Sequence, residues 1–549
     1  MVRDFSGTRR CGARLRRLAA GAGLRRLAAA VALGVLLAAP LAPVAQAQQF
    51  SAFKQALAEG VAQDRGLSAF YRDHGYQPLW TGPEDAARRS ALITAISRAA
   101  EHGLPVARYD LDGLIAAFAA VESERDRGFL EAKVTETFLR FARDMTSGVL
   151  TPSRIDRDIV RDLPRPDPLE LLTDFAASEP VSFIRNLAPR APEYARLFRA
   201  RRDIEAAIAE GGWGPTVPES ALRPGDSGPS VVALRNRLIA MGYMPRTATA
   251  SYDAALQSAV QRFQINHGLD ADGVAGPATL RAINVSPEER LQSIIVAMER
   301  ERWLNIERGD RHIWVNLADF SSRIVDFDEI TFETVSIIGA RNSEQRTPEF
   351  SEAMTYLEIN PDWTLPRSII ARSYWGALSS GGAQYLQIID AQGRVVPRSA
   401  IDFSRWTPRN FPYNVRQPPG PSNPLGTVKF MFPNPHAIYL HDTPARSLFN
   451  TQVLTHSSGC IRLNDPEEFA YELLSRQTDD PQGLFHRTRN SGQQTRLYLE
   501  TPVPTHLVYR TAFTDARGAL NFRPDVYGRD AAIFRALQNA GVEIPGIRS

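Results

Sequence analysis

Residues His456-Ser457-Ser458-Gly459-Cys460-Ile461-Arg462-Leu463 set a cysteine among small and polar neighbours, with His441 upstream. The chain holds two cysteines, and the other, Cys11, lies in a stretch read below as an export signal. A lone thiol in an exported chain has no partner for an intramolecular disulfide, so it is either a buried apolar filler or a reactive group. A free cysteine is only a few per cent thiolate at neutral pH. A histidine within hydrogen-bond reach can take the proton, hold the thiolate as an ion pair and later protonate a leaving amine. Amides around Ser458, Gly459 and Cys460, turning at the small Gly459, could converge as an oxyanion hole. Together these parts describe acyl transfer through a thioester.

Two histidines compete for the role of base. His441 ends the alternating stretch Ala437-Ile438-Tyr439-Leu440-His441, in which Ile438 and Leu440 would face the core and Tyr439 and His441 the opposite side. His456 is nearer in sequence, but the turn between it and Cys460 must stay free for the oxyanion amides, which favours His441. A strand-end surface histidine and a buried small side chain remain the alternatives, because a cysteine and a distant histidine do not decide the matter alone.

The elements that must position these groups follow from periodicity. Residues 428–432 and 437–441 read as strands joined by Pro433-Asn434-Pro435-His436, a hairpin signal. Asp465-Pro466-Glu467-Glu468 has capping-box form, and starts a helix too far from Cys460 for its dipole to activate the thiol. Strands are expected at 313–317, 323–327 and 332–338. Residues 363–425, rich in Pro, Gly, Arg and aromatics, read as an irregular insertion acting as a lid on a β-rich domain over 300–510. The extension 511–549 is expected to pack on that domain or on the N-terminal helices. Residues 48–210 read as helical, with His74 and His102 in structural or surface roles. A Gly/Pro-rich linker leads to a three-helix unit over 222–285, with Pro229 and Pro277 at first helical positions. Its Asp270-Ala271-Asp272-Gly273 run lacks the spacing and terminal glutamate of a calcium loop and reads as a turn. The fold class is therefore multidomain α+β, with no metal or other cofactor implied.

The first 26 residues carry eight arginines and one acid, followed by an apolar run to Ala39 and a small-x-small site at Ala45-Gln46-Ala47. This is the form of a secretory signal over 1–47, with inner-membrane anchoring as the alternative. Taking those eight arginines and Asp4 from 64 basic and 61 acidic residues leaves 56 and 60, a net charge near −4. The basic balance belongs to the leader, so nothing argues for a nucleic-acid partner.

Residues 222–285 resemble the peptidoglycan-binding domain through Gly225-Asp226-Ser227-Gly228-Pro229, Gln261-Arg262-Phe263-Gln264 and Asp272-Gly273-Val274-Ala275-Gly276-Pro277-Ala278-Thr279-Leu280. The segment from His441 to Leu463 resembles the active-site motif of L,D-transpeptidases, with 15 residues between His441 and Ser457-Ser458-Gly459-Cys460. Phe70-Tyr71-Arg72-Asp73-His74-Gly75-Tyr76-Gln77-Pro78-Leu79-Trp80, Asn360-Pro361-Asp362-Trp363-Thr364, Gln417-Pro418-Pro419-Gly420-Pro421, Leu425-Gly426 and Tyr527-Gly528-Arg529-Asp530 resemble the large Gram-negative branch with a helical scaffold. Many members carry histidine where this chain has Ser458, which leaves His441 as base. The resemblance implies Cys460 as nucleophile, oxyanion amides at Ser458 and Gly459, and a main-chain carbonyl near Asp442 orienting the imidazole. It places Tyr439, Arg462, Asp442 and His456 beside the substrate. Arg462 would position the site, meet a substrate carboxylate or form a structural salt bridge. The implied reaction releases D-alanine from a tetrapeptide stem and joins two meso-diaminopimelate residues as a 3→3 cross-link in the periplasm. Stem peptides, glycan strands and other cell-wall synthases would be partners, and carbapenems would acylate the thiol. The alternatives are an L,D-carboxypeptidase or amidase, and a non-catalytic wall-binding scaffold.

Overall fold

The structure, a computed structural model, describes residues 51–515 and 517–544. The expected export signal and Cys11 lie outside the described residues. No described helix is long and apolar enough to cross a membrane.

The N-terminal part is helical because its apolar residues recur at three and four positions. In helix Glu124–Ser147, Leu130, Val134, Phe138, Phe141 and Met145 line one buried face. Phe138 meets Trp80 and Phe175 at ring distances of 5.3 and 4.5 Å. Glu131, fully buried in the same helix, accepts the amides of Leu79, Trp80 and Thr81 and the Tyr71 hydroxyl, which fixes the loop entering Trp80. His74 bonds Phe70 O, and His102 bonds the Tyr194 hydroxyl.

The following unit has three helices, Pro229–Ala240, Ala254–Asn266 and Pro277–Asn284, around Leu234, Leu238, Val260, Phe263 and Leu280. Two of them open on proline as the sequence predicts. Asp272 accepts from Gln264 and from the Val274 amide, closing a turn. Helix Pro287–Trp303 then runs between helices Pro192–Ala209 and Arg529–Asn539 and is buried on nearly all sides.

Among the described residues, fourteen strands follow in chain order. They are β1 (Arg311–Asn316), β2 (Ser321–Asp326), β3 (Glu329–Gly339), β4 (Phe350–Ile359), β5 (Trp363–Thr364), β6 (Gln387–Ile389) and β7 (Asn414–Gln417). After these come β8 (Val428–Met431), β9 (Leu440–His441), β10 (Thr455–Ser457), β11 (Ile461–Leu463), β12 (Thr495–Val508), β13 (Ala512–Thr514) and β14 (Leu520–Phe522). The main sheet has the order β10-β3-β11-β9-β8-β4-β12-β1-β2. An additional β2–β3 pairing closes eight of these strands into a ring, which removes exposed edges. Its interior packs Ile313, Leu357, Phe430, Leu440, Ile461 and Leu463. The expected hairpin exists, but its second strand is only Leu440–His441.

The insertion differs from expectation. It carries its own sheet, β5-β7-β6, over a core of Trp363, Ile370, Leu378, Ile388 and Val415. Tyr439 packs against both this core and that of the barrel.

Glu349, at the entry to β4, ties these parts together. Its carboxylate meets Arg300 at 2.7 Å, Arg529 at 3.2 Å and Arg161 at 3.7 Å, and all four side chains are nearly inaccessible. Its backbone also pairs with the helical part: Glu349 N donates to Asp158 O, and Glu349 O accepts from Val160 N. Removing one partner of a buried charge cluster leaves uncompensated charge. Glu349→Ala is therefore expected to cost about 3–5 kcal/mol in urea unfolding. A loss below about 1 kcal/mol would show that the three guanidiniums are satisfied without it.

Candidate active site

Register brings the candidate residues together. Strands β9 and β11 are parallel, with Ile461 opposite Leu440 and Arg462 opposite His441. Paired residues share a face and neighbours along a strand alternate. Ile461 and Leu440 are fully buried in the barrel core, so Arg462 and His441 project from the opposite face. Cys460 precedes Ile461, beside Tyr439, and the Ile461 amide donates to Tyr439 O at 3.0 Å. Cys460, Tyr439, His441 and Arg462 thus form one cluster. The Tyr439 and His441 rings lie 5.6 Å apart.

A polar row crosses the sheet at this level. Arg462 pairs with His441, His441 with Lys429, Lys429 with Glu358, and Glu358 with Arg496. Lys429 Nζ lies 3.7 Å from Glu358 and 4.3 Å from the centre of the Tyr439 ring. The imidazole is therefore flanked by a cation on each side.

His441 is buried, and its Nδ1 bonds the Asp442 carbonyl oxygen. A carbonyl only accepts, so Nδ1 carries the proton and Nε2 is left as the basic nitrogen. This is the orienting carbonyl expected at Asp442. Burial and the Arg462 charge push His441 down to about 3, the Asp442 carbonyl acts the other way, and Lys429 lowers it further. Burial likewise pushes the half-buried Cys460 thiol up, against the Tyr439 amide and hydroxyl, Lys429 and Arg462. Both directions favour a thiol beside a neutral imidazole over the ion pair that the sequence allows. The thiol donates to Ala437 O at 3.7 Å.

The nucleophile turn also differs in detail. Gly459 has φ +126°, a region closed to most side chains, and a Cβ there would lie 3.1 Å from Ile438 Cδ1. Its amide is taken by Ser457 Oγ at 3.1 Å, so it is not a free oxyanion donor. Its carbonyl accepts from Thr347 Oγ1 at 2.7 Å. The Ser458 hydroxyl, exposed, receives Gln345 at 3.0 Å and Arg372 of the insertion at 3.2 Å. The amides of Ser458 and Cys460 have no acceptor among the described residues, and they are the donors the turn leaves for an oxyanion.

Three further expectations are revised. The Asp442 carboxylate is buried and consumed by Thr427 N and Oγ1, Thr443 N and Arg446, so it faces no substrate. Gly426 makes room for it, since a Cβ there would lie 2.1 Å from Asp442 Oδ2. His456 alternates with buried Ser457 on β10, is exposed and bonds Thr451 at 2.8 Å, away from the cluster. Asp465 precedes the helix Pro466–Leu474, but its carboxylate takes the Thr334 hydroxyl at 2.8 Å, not the helix amides of a capping box.

Arg462 forms no ion pair among the described residues, and its Nε is buried without a partner. Burial pushes this guanidinium down, while Cys460 and Tyr439 act in the opposite sense. The structural salt bridge offered by the sequence is thus not made. Lys429, Glu358, Gln345 and Arg372 escaped the sequence reading. Only alternation in 428–431 signals that Lys429 leaves the core.

Residues 65–200 match the family described as scaffold domain, 227–283 that described as "Putative peptidoglycan binding domain", and 310–488 that described as L,D-transpeptidase catalytic domain. A Haemophilus influenzae protein named "Putative L,D-transpeptidase" is 30% identical over 246 residues, covering 43% of this chain and 48% of that protein. The zinc D-Ala-D-Ala carboxypeptidase of Streptomyces albus G is 35% identical over 123 residues, 22% of this chain and 45% of its own length. The chain thus spans about half the length of the curated relatives it matches. An L,D-transpeptidase structure from Stackebrandtia nassauensis is 14% identical over 54% of this chain and 96% of its own, with a TM-score of 0.21. One from Xylanimonas cellulosilytica is 14% identical over 54% and 98%, with a TM-score of 0.17. Scores this low carry no argument about the fold. The motif resemblance and the three family matches agree: the chain carries a scaffold domain, a peptidoglycan-binding domain and, over 310–488, an L,D-transpeptidase catalytic domain.

Proposed function

We propose that the protein is a cysteine acyltransferase that forms 3→3 cross-links between peptidoglycan stem peptides in the periplasm. The observation that carries this reading is the shared face of Cys460 and His441, with Nε2 left basic and an unpaired Arg462 alongside. In the first step the Cys460 proton passes to His441 Nε2, and Sγ attacks the amide carbonyl at the L-centre of diaminopimelate. The Cys460 amide receives the developing oxyanion, a contact worth about 3 kcal/mol. As the C–N bond breaks, imidazolium returns the proton to the leaving D-alanine amine, and a thioester remains. An acceptor amine then gives its proton to His441, attacks the thioester and releases the thiol. Arg462 has donors available for a stem-peptide carboxylate.

Neither His441 as a neutral base nor Cys460 as a thiol requires a metal. Hydrolysis of the same thioester by water is the second reading. The insertion favours transfer, since its core rests on Tyr439 beside the thiol, where it limits water.

Incubation with tetrapeptide muropeptides is expected to yield cross-linked dimers, with an acyl-enzyme mass lost in Cys460→Ala. Tripeptide alone would assign hydrolysis. His441→Ala should lower turnover by about 10²–10⁴-fold, while His456→Ala should leave it unchanged. The reverse pattern would move the base to His456.

A neutral pair also sets the pH dependence of the thiol. Its raised value keeps it protonated until alkaline pH, so the rate of iodoacetamide alkylation should climb through and beyond about pH 9. A rate that is flat down to about pH 6 would instead demonstrate a preformed ion pair.

Thr347 positions the nucleophile turn. Its hydroxyl accepts from Gly339 N at 2.9 Å and donates to Gly459 O, and its carbonyl accepts from Arg529 at 3.0 Å. Thr347→Val should slow acylation by at least about tenfold, with Thr347→Ser restoring it. Equal rates in the two variants would remove this role.

A further inference from the structure

A second opening lies where the helical part, the three-helix module and the C-terminal hairpin meet. It is a cavity of about 490 Å³, within the roughly 300–1,000 Å³ range of small-ligand sites. Trp213, Tyr243 and Phe522 supply flat rings, Arg199 and Arg290 supply guanidiniums, and Asp203 supplies a carboxylate.

Arg290, only partly buried, stands apart from the buried arginines of this chain. Arg201 meets Glu205 at 2.8 Å, Arg235 meets Asp253 at 3.0 Å and Arg302 meets Glu299 at 3.0 Å. Arg237 has no carboxylate but donates to the carbonyls of Gly214, Ile283 and Val285. Arg290 lies 4.4 Å over the Phe522 ring, donates once to Ala282 O at 2.8 Å, and forms no ion pair among the described residues. Four of its five N–H donors thus have no acceptor among the described residues. Arg199 on the same wall is exposed and also forms no ion pair among the described residues.

We propose that this junction binds a muramyl-peptide unit of peptidoglycan, with the apolar face of a sugar on Trp213 and Tyr243 and a carboxylate at Arg290 and Arg199. The inference rests on the wall-directed reading above and adds a site remote from Cys460. Positive guanidiniums complement the carboxylates of lactyl-linked stem peptides, and guanidinium binds carboxylate through paired donors. Asp203 offers an acceptor to sugar hydroxyls. The site is composite: the three-helix module supplies Tyr243, while Trp213, Arg199, Arg290 and Phe522 come from outside it. Holding the polymer here would raise the local concentration of stems at the catalytic domain.

The test uses the full mature chain with purified sacculi and with a soluble muramyl tetrapeptide. Arg199→Glu and Arg290→Gln should each weaken co-sedimentation and the titrated affinity by at least about tenfold. Thermal midpoints check that both variants fold. Arg199 is exposed, so its variant stays informative if Arg290→Gln fails to fold. Unchanged affinity in Arg199→Glu, or equal wild-type binding to glycan stripped of its stem peptides, would overturn the proposal. Acylation of wild-type Cys460 by a tetrapeptide is read separately. Its absence, with sacculus binding still lost in the variants, would sink the catalytic reading and leave this site standing.

Discussion

The carboxylate of Glu349, shared by Arg161, Arg300 and Arg529, is the contact on which the arrangement of parts depends. Buried ion clusters contribute little net stability against an apolar alternative, because desolvation offsets the attraction. What they impose is geometry, since a slipped interface would strand charge. Here that geometry reaches Cys460. Arg529 holds the Thr347 carbonyl, the Thr347 hydroxyl holds Gly459 O, and Gly459 precedes Cys460. The Tyr527 hydroxyl donates to Gly339 O and accepts from Thr347 N, bracing the same turn. Residues beyond 488, the end of the family match, thus belong to the wall behind the active site.

The polar row across the sheet explains the state of the pair. An imidazole between Arg462 and Lys429, and shut from water, has no reason to be charged at rest. Desolvation likewise pushes the thiol up. Lys429 is partly balanced by Glu358, whereas Arg462 has no carboxylate among the described residues. An arriving anionic substrate would neutralise Arg462 and relieve one of the influences that depress His441. On the proposed reading, substrate binding and activation of the base would be linked through one guanidinium.

Local pattern made much of this legible. Alternation in 437–441 sorted Ile438 and Leu440 inward from Tyr439 and His441, and three- and four-residue spacing found the helices. Pairing is not local, so the β2–β3 closure and the row from Arg462 to Arg496 could not be read. Side-chain capture was equally hidden. The Asp442 carboxylate is drawn inward by Thr427, fifteen positions away, and Gly459 N is claimed by a serine that the motif displays without revealing its direction. His456 looked near because it is near in sequence, yet β10 pairs with β3 and turns it outward. The insertion read as irregular because its strands are two to four residues long, below the length at which alternation is visible.

Tyr439 belongs to two cores, and this links the insertion to the chemistry. Its ring is pinned by the insertion's apolar residues on one side and by Lys429 on another, while its hydroxyl and amide act on the Cys460 sulfur. Arg372, from the π-helical turn Ile370–Tyr374 of the insertion, reaches Ser458 two residues before the nucleophile. An insertion that moved away would release both contacts together. Tyr439 and Ser458 would then lose the insertion's support, and the site would admit water. Exclusion of water and support of the Cys460 thiol are therefore one structural event in this chain, as the proposed thioester chemistry would require.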